Sequence, residues 1–90
     1  MLETSVCVEN RLGLHARAAA RLVKLSRTLQ SSVTISAADK GGTADAASIL
    51  ELLSIAATFG TMLRVSADGP DEVDAIRKIE ELFTSKFGEE

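Results

Sequence analysis

The chain has 90 residues, of which 46% are hydrophobic and 3% aromatic, and its formal net charge is −3 at pH 7. This length predicts a single domain (residues 1–90) with an aliphatic core. The sequence has no apolar run long enough to span a membrane, no signal-peptide pattern, no cationic face interleaved with aromatic residues and one unpaired cysteine, Cys7. We therefore expect a cytoplasmic, monomeric protein that neither inserts into membranes nor binds nucleic acid.

The first third of the chain predicts a strand followed by a helix. Apolar and polar residues alternate over residues 4–9, which is typical of a half-buried strand. Residues 16–29 have helical spacing, with an apolar face and a basic face. The apolar face contains Ala18, Leu22, Leu25, Ser26 and Leu29, and the opposite face contains Arg17, Arg21, Lys24 and Thr28.

The remainder predicts three more strands and two more helices. Strands are expected at residues 32–36, 43–45 and 61–67, with a turn at residues 39–42. A short helix is expected at residues 48–58, and a last helix begins with Pro70 at its first position. The expected buried stripe of this last helix is Val73, Ile76, Ile79, Leu82 and Phe83. The order β-α-β-β-α-β-α predicts an α+β fold, with helices on one face of a largely antiparallel sheet.

His15, the only histidine, is predicted to be the N-cap of the first helix. Ser, Thr, Asp and Asn are the preferred N-caps, so helix stability alone does not explain a histidine there. Helix N-termini present unpaired N–H groups and partial positive charge, which favour neutral imidazole and a bound anion. Backbone N–H groups of Ala16 and Arg17 and the guanidinium of Arg17 could then bind phosphoryl oxygens. Gly13 allows close backbone approach, and the alanines after Arg17 are expected to keep the site open.

Other interpretations of these residues are less specific. His15 could be an ordinary surface or capping residue, and the basic face of the first helix could simply be solvated. A metal site is not expected, because the sequence has no second histidine and no Cys/His cluster. Ser26 and Ser48 have no sequence context that suggests a catalytic triad.

The segment Asn10-Arg11-Leu12-Gly13-Leu14-His15-Ala16-Arg17 resembles the active-site segment of the HPr family of histidine-containing phosphocarriers. The resemblance extends over essentially the whole chain. It implies an open-faced β-sandwich, in which three helices cover a four-stranded antiparallel sheet. It also implies that His15 accepts a phosphoryl group on Nδ1 from a phosphoenolpyruvate-dependent first enzyme and passes it to acceptor proteins, with Arg17 in support. Such a chain is a covalently modified carrier, needs no cofactor and is not itself an enzyme. One departure is Ala18, which stands where the family usually has proline.

The second predicted helix carries two further features. Ser48-Ile49-Leu50-Glu51 matches a capping box, in which Ser48 and Glu51 bind each other's backbone N–H groups. The resemblance implies that, in some branches of the family, a dedicated kinase phosphorylates the serine here. It also implies that Ile49, Leu50 and Leu53 form an exposed patch for partners, with Arg21 and Lys24 contributing. The alternative is that this helix is buried throughout.

The sequence therefore supports two functional hypotheses. In the first, the chain is a phosphocarrier that serves sugar-specific or nitrogen-branch acceptors. In the second, it is a regulatory module of the same fold that docks on kinases, permeases or transcription factors under the control of Ser48. A nucleophilic His15 beside Arg17 favours the first.

Overall fold

The computed structural model describes residues 1–37 and 42–89. Four strands lie in these residues: β1 (Leu2–Cys7), β2 (Ser32–Ala37), β3 (Thr43–Asp45) and β4 (Met62–Asp68). They form one antiparallel sheet in the order β1-β4-β2-β3. The two central strands, β4 and β2, are thus separated in the chain by β3 and a helix.

Three α-helices cover one face of this sheet in the described segments. They are α1 (Ala16–Ser26), α2 (Ile49–Ile55) and α3 (Glu72–Thr84), and a short 3₁₀ turn (Lys86–Gly88) follows α3. The predicted open-faced β-sandwich, with the order β-α-β-β-α-β-α, is confirmed. None of the helices described is long and apolar enough to cross a membrane.

Alternating side chains divide the sheet into a buried and an open face. In β4, Leu63, Val65 and Ala67 point into the core, whereas Met62 and Arg64 are exposed. The core is aliphatic apart from two phenylalanines of the C-terminal region, Phe83 and Phe87. Its burial against the helices is the main favourable contribution to folding.

Several element ends differ from the predicted ones. β1 begins two residues earlier than expected because pairing with β4 extends to Leu2, which lies opposite Ala67. α1 ends at Ser26 and not near residue 29, since the N–H groups of Thr28 and Leu29 donate to carbonyls three residues back, as in a 3₁₀ turn, and no longer to carbonyls four residues back. Most of the predicted turn, residues 39–41, lies outside the described residues. Gly42 is described, and its carbonyl accepts a hydrogen bond from the N–H of Ala37 at 3.1 Å.

The start of α3 corrects one prediction. Pro70 is not the first helical residue, because Asp71 is the N-cap and the helix begins at Glu72. The Asp71 carboxylate binds the N–H of Gln30 at 2.9 Å and the hydroxyl of Ser31 at 2.5 Å, which ties α3 to the loop before β2.

The predicted apolar stripe of α3 was wrong at one position. Val73 is 71% exposed, whereas Ala75, which was not predicted, is fully buried. Ala75, Ile79 and Phe83 form a fully buried row at i, i+4 and i+8. Val73 lies two positions from Ala75, which is about 200° around the helix, so it faces solvent. Ile76 and Leu82 are partly buried against the core.

Candidate functional site

His15 is the N-cap of α1, as predicted. Its backbone is extended (φ −85°, ψ −177°), and its ring Nδ1 accepts a hydrogen bond from the N–H of Arg17 at 3.3 Å. The imidazole therefore supplies the cap that a serine or aspartate oxygen would normally supply. Because Nδ1 accepts a hydrogen bond in this contact, its lone pair points toward the positive end of the α1 dipole.

The loop before His15 is held against the segment after α2. Gly13 has φ +71°, and a Cβ atom there would lie 2.6 Å from the carbonyl oxygen of Ala57. The next residue, Leu14, donates its N–H to that same oxygen at 2.9 Å. Glycine is therefore required at this position both for its left-handed backbone and for lack of space. This close approach brings the end of α2 next to the loop that carries His15.

The other ring nitrogen of His15 contacts a residue from the opposite end of the chain. Nε2 lies 2.5 Å from Oε2 of Glu89, whose second carboxylate oxygen accepts a hydrogen bond from Nδ2 of Asn10 at 2.9 Å. Asn10 is fully buried and also donates to the carbonyl of Gly13 at 2.6 Å. The side chains of His15 and Glu89 are 27% and 10% exposed, so solvent reaches the imidazole more readily than the carboxylate.

The C-terminal segment reaches His15 because Phe87 anchors it. Phe87 is buried against Phe83 in an edge-to-face contact with ring centroids 4.8 Å apart. Lys86 and Phe87 both adopt left-handed backbone conformations, which are unfavourable for residues other than glycine. Each such conformation costs about 1–2 kcal/mol, and burial of the Phe87 side chain, at about 1.5–3 kcal/mol, offsets a large part of that cost. The guanidinium of Arg21 also donates to the carbonyl of Phe87.

The local charges keep Glu89 ionised. Desolvation alone would raise the pKa of Glu89, but hydrogen bonds from Asn10 and His15 and the positive charge of Arg17 together outweigh it and lower the pKa. Arg17 is exposed at the second position of α1, and its backbone N–H contacts the imidazole. The site thus has one carboxylate at Nε2 and the backbone N–H of Arg17 at Nδ1.

The predicted basic residues of α1 have different surroundings. Arg21 is exposed but its guanidinium is bound to the C-terminal segment, whereas Lys24 is exposed in the last turn of α1. Two of the three alanines after Arg17 do not act as expected, whereas Ala20 is exposed. Ala18 and Ala19 are fully buried, so their small size allows α1 to pack against the core and does not open the site.

The exposed patch that was predicted on α2 is present. Ile49 and Leu53 are each 37% exposed and Leu50 is 77% exposed, whereas Leu52 and Ile55 face the core. The alternative of a helix buried throughout is therefore wrong. Two exposed apolar residues that were not predicted, Leu12 and Phe59, lie in the loops joined by the contact between Gly13 and Ala57.

The predicted capping box of α2 is half correct. The hydroxyl of Ser48 accepts from the N–H of Glu51 at 3.4 Å. Glu51 does not return this bond, because its carboxylate accepts from the N–H of Asp45 at 3.0 Å. The N–H of Ser48 donates instead to the carbonyl of Asp45 at 3.0 Å. Ser48 is half-buried at the end of α2 that lies away from Ala57.

Sequence reasoning missed Glu89 and Asn10 as site residues. No periodicity or motif connects Glu89 with His15, since 74 residues separate them. For Asn10 the sequence gave only a weak indication of a turn, because asparagine is common in turns and this one lies three residues before Gly13. In the part of the chain that the structure describes, no three His, Cys, Asp or Glu side chains are grouped as metal ligands.

Comparisons with known proteins show which family and which solved structures the chain is similar to. The family model described as "PTS HPr component phosphorylation site" matches residues 2–85. The chain is 44% identical over 90 residues to a phosphocarrier protein HPr from Xylella fastidiosa, covering 100% of this chain and 99% of that protein. It is 40% identical over 85 residues to a phosphocarrier protein NPr from Proteus mirabilis, covering 94% and 93% of the two chains. The crystal structure of HPr-C-His from Thermoanaerobacter tengcongensis superimposes with a TM-score of 0.92 at 36% identity, covering 100% of this chain and 99% of that one.

Proposed function

This chain belongs to the HPr family of phosphotransferase-system phosphocarriers, and from that premise we propose that it carries its phosphoryl group on Nδ1 of His15. We further propose that a phosphoenolpyruvate-dependent first enzyme supplies this group in the cytoplasm, and that sugar-specific or nitrogen-branch proteins accept it. One observation carries the proposal. The Nδ1 lone pair lies at the N-terminus of a helix, with Arg17 beside it.

The transfer needs little chemistry from the carrier. The Nδ1 lone pair forms the N–P bond, and the bond from phosphorus to the donor breaks with its electron pair remaining on the donor atom. Once phosphorus occupies Nδ1, the N–H of Arg17 no longer caps the ring and can donate to a phosphoryl oxygen. The N-terminus of α1 favours the resulting dianion by about 0.3–1 kcal/mol.

Arg17 can add charge-assisted hydrogen bonds to the phosphoryl oxygens. Its side chain is exposed, so it can also reach a donor or acceptor that approaches His15. The partner supplies the remaining groups around the transferring phosphorus. In this scheme the first enzyme phosphorylates the chain and an acceptor protein removes the phosphoryl group again. The chain is therefore a substrate of its partners and does not catalyse the transfer itself.

We propose that partners dock on the exposed α2 patch, defined as Ile49, Leu50 and Leu53, together with Arg21 and Lys24. Support comes from the exposure of the patch and from the contact that joins the end of α2 to the loop of His15. An apolar patch on α2 and exposed basic residues on the contacting helix α1 suit a partner with an apolar cleft and an acidic rim.

The test is to incubate the protein with phosphoenolpyruvate and its cognate first enzyme, followed by intact-mass measurement. We expect a gain of one phosphoryl unit that is lost in acid and absent from His15→Gln. Ser48→Ala is the matched control and should be labelled like the wild type. Labelling of His15→Gln, or loss of labelling in Ser48→Ala, would refute the assignment to His15.

The same variants separate a carrier from a regulatory module. A carrier loses its function with His15→Gln. A module controlled through Ser48 would keep its binding to a kinase, permease or transcription factor in that variant, and would change it when a serine kinase modifies Ser48. The presence of His15 and Arg17 together at one helix start favours the carrier.

A further inference from the structure

We propose that Glu89 is a positioning residue for His15: its carboxylate holds the proton of the ring on Nε2 and stabilises the positive charge that the ring acquires as Nδ1 binds phosphorus. This inference rests on the proposed function and deepens it. Glu89 does not touch the phosphoryl group in this scheme, and it acts entirely through the imidazole.

The two contacts of the ring define which nitrogen carries the proton. Nδ1 accepts from the N–H of Arg17 at 3.3 Å, so it has no hydrogen of its own. A neutral imidazole must then carry its proton on Nε2. Nε2 lies 2.5 Å from Oε2 of Glu89, a distance at which an N–H donates strongly to a carboxylate. Both contacts therefore leave the lone pair on Nδ1, where the phosphoryl group is to be bound.

The contact between Glu89 and Nε2 also stabilises the positive charge of the phosphorylated ring. When Nδ1 of the neutral ring uses its lone pair for the N–P bond, the proton on Nε2 stays in place and the ring gains one positive charge. A carboxylate at Nε2 stabilises that charge, as an aspartate does for the imidazolium of a catalytic triad. The carboxylate and the incoming phosphoryl group lie at the two diverging nitrogens, so their mutual repulsion is reduced.

The position of Glu89 is supported by several contacts that are independent of His15. Buried Asn10 holds the second carboxylate oxygen at 2.9 Å, which leaves Oε2 directed at the ring. Phe87 is buried two residues earlier, and the guanidinium of Arg21 holds its carbonyl. The lowered pKa of Glu89 agrees with a carboxylate that stays ionised near neutral pH. An orienting partner of this kind is worth about 10- to 100-fold in function where it holds a metal-binding histidine.

A spectroscopic experiment tests the contact without any phosphoryl donor. Nitrogen-15 NMR of the ring of unphosphorylated protein, recorded at alkaline pH where imidazole is neutral, reports which nitrogen bears the proton. We expect the wild type to show Nε2 protonated and Nδ1 bare. Glu89→Ala should show a mixture of the two forms, and Glu89→Gln, which keeps one accepting oxygen, should resemble the wild type. Glu3→Ala removes an exposed carboxylate on the open sheet face and is the control.

The rate of phosphoryl transfer then tests the role. We expect Glu89→Ala to slow transfer about tenfold, at the low end of the range for orienting groups. Glu89→Gln should reduce the transfer rate by less, because the glutamine orients the ring without supplying a charge. Glu3→Ala should transfer at the wild-type rate. An unchanged ring signature in Glu89→Ala, or a transfer rate equal to that of Glu3→Ala, would overturn the proposal. Faster transfer in Glu89→Ala would overturn it too, because the C-terminal segment would then obstruct His15.

Failure of this inference can be told apart from failure of the proposed function. If the wild type is phosphorylated at His15 but Glu89→Ala has a normal ring signature and rate, only the role of Glu89 is refuted. If the wild type accepts no phosphoryl group, the carrier function itself is refuted, and the role of Glu89 in transfer with it.

Discussion

A Cβ atom on Gly13 would lie 2.6 Å from the carbonyl oxygen of Ala57, so the loop of His15 and the end of α2 touch through backbone alone. The hydrogen bond from the N–H of Leu14 to the same oxygen, 2.9 Å long, reinforces the contact. These backbone contacts link the loop of His15, the candidate phosphoryl acceptor, directly to the helix that carries the α2 patch, although more than 30 residues of chain separate them.

Gly13→Ala should destabilise the protein and impair the site. The new methyl group would clash with Ala57, and alanine would be strained at φ +71°. We expect a loss of about 3 kcal/mol in the free energy of unfolding, measured by urea denaturation. Gly60→Ala is the matched control, because Gly60 also has a positive φ (+88°) but no atom within 4 Å of its Cβ position. That variant should lose about 1 kcal/mol, and equal losses in both would contradict the close contact.

Leu50→Glu should leave the fold intact and weaken phosphoryl transfer. Leu50 is 77% exposed, so the change in unfolding free energy should stay within about 0.5 kcal/mol. A charge at the centre of an apolar docking patch should cost partner binding about tenfold or more, seen as a raised KM for the carrier in the first-enzyme reaction. Val73→Glu places the same charge on an equally exposed site at the start of α3 and should transfer normally. Equal effects of the two substitutions would rule out a specific patch.

Arg17→Ala should slow phosphoryl transfer by about 10- to 100-fold, since a hydrogen bond to a charged group contributes about 1.5–3 kcal/mol. Arg17→Lys should recover part of this rate, because lysine keeps the charge but not the planar fork of the guanidinium. Arg27→Ala removes an exposed arginine from the other end of α1 and serves as the control. Rapid-quench measurement of labelled carrier gives the rates. A wild-type rate for Arg17→Ala would show that Arg17 has no part in transfer.

Asp71→Asn should reduce stability in a way that depends on pH. The hydrogen bond from the Ser31 hydroxyl and that from the N–H of Gln30 lower the pKa of Asp71 below its ordinary value of 3.8. A carboxyl group with a lowered folded-state pKa contributes stability above its unfolded-state pKa and loses it as pH falls through the folded-state value. The difference in unfolding free energy between wild type and Asp71→Asn should thus be constant from pH 7 to about pH 5. It should shrink below about pH 4.

Denaturation of both proteins over this pH range checks the prediction for Asp71. The control is the same substitution in a Ser31→Ala background, which lacks the hydroxyl that donates to Asp71 and should show a smaller pH-dependent difference. A difference for Asp71→Asn that grows as the pH falls would have the wrong sign and would contradict the contacts of Asp71.

Local patterns were sufficient to predict most of the architecture. Alternation predicted β4, whose inward residues Leu63 and Val65 are indeed buried, and glycine and proline marked the connections. The patterns were least reliable at element ends, where tertiary contacts compete with local preference. Asp71 illustrates this, because its carboxylate binds the loop before β2 and α3 starts at Glu72, two residues later than the predicted first helical residue, Pro70.

The sequence by itself was enough to predict the candidate acceptor histidine, its helix-start position and the α+β fold, because these depend on neighbours a few residues apart. The exposed face of α2 was predicted from the family resemblance. Only the tertiary structure decided that Glu89 and buried Asn10 complete the surroundings of His15, and that Arg21 binds the C-terminal segment. These contacts join positions up to 79 residues apart. They depend on how the Phe87 side chain packs into the core, and no local periodicity encodes the direction in which a packed segment leaves that core.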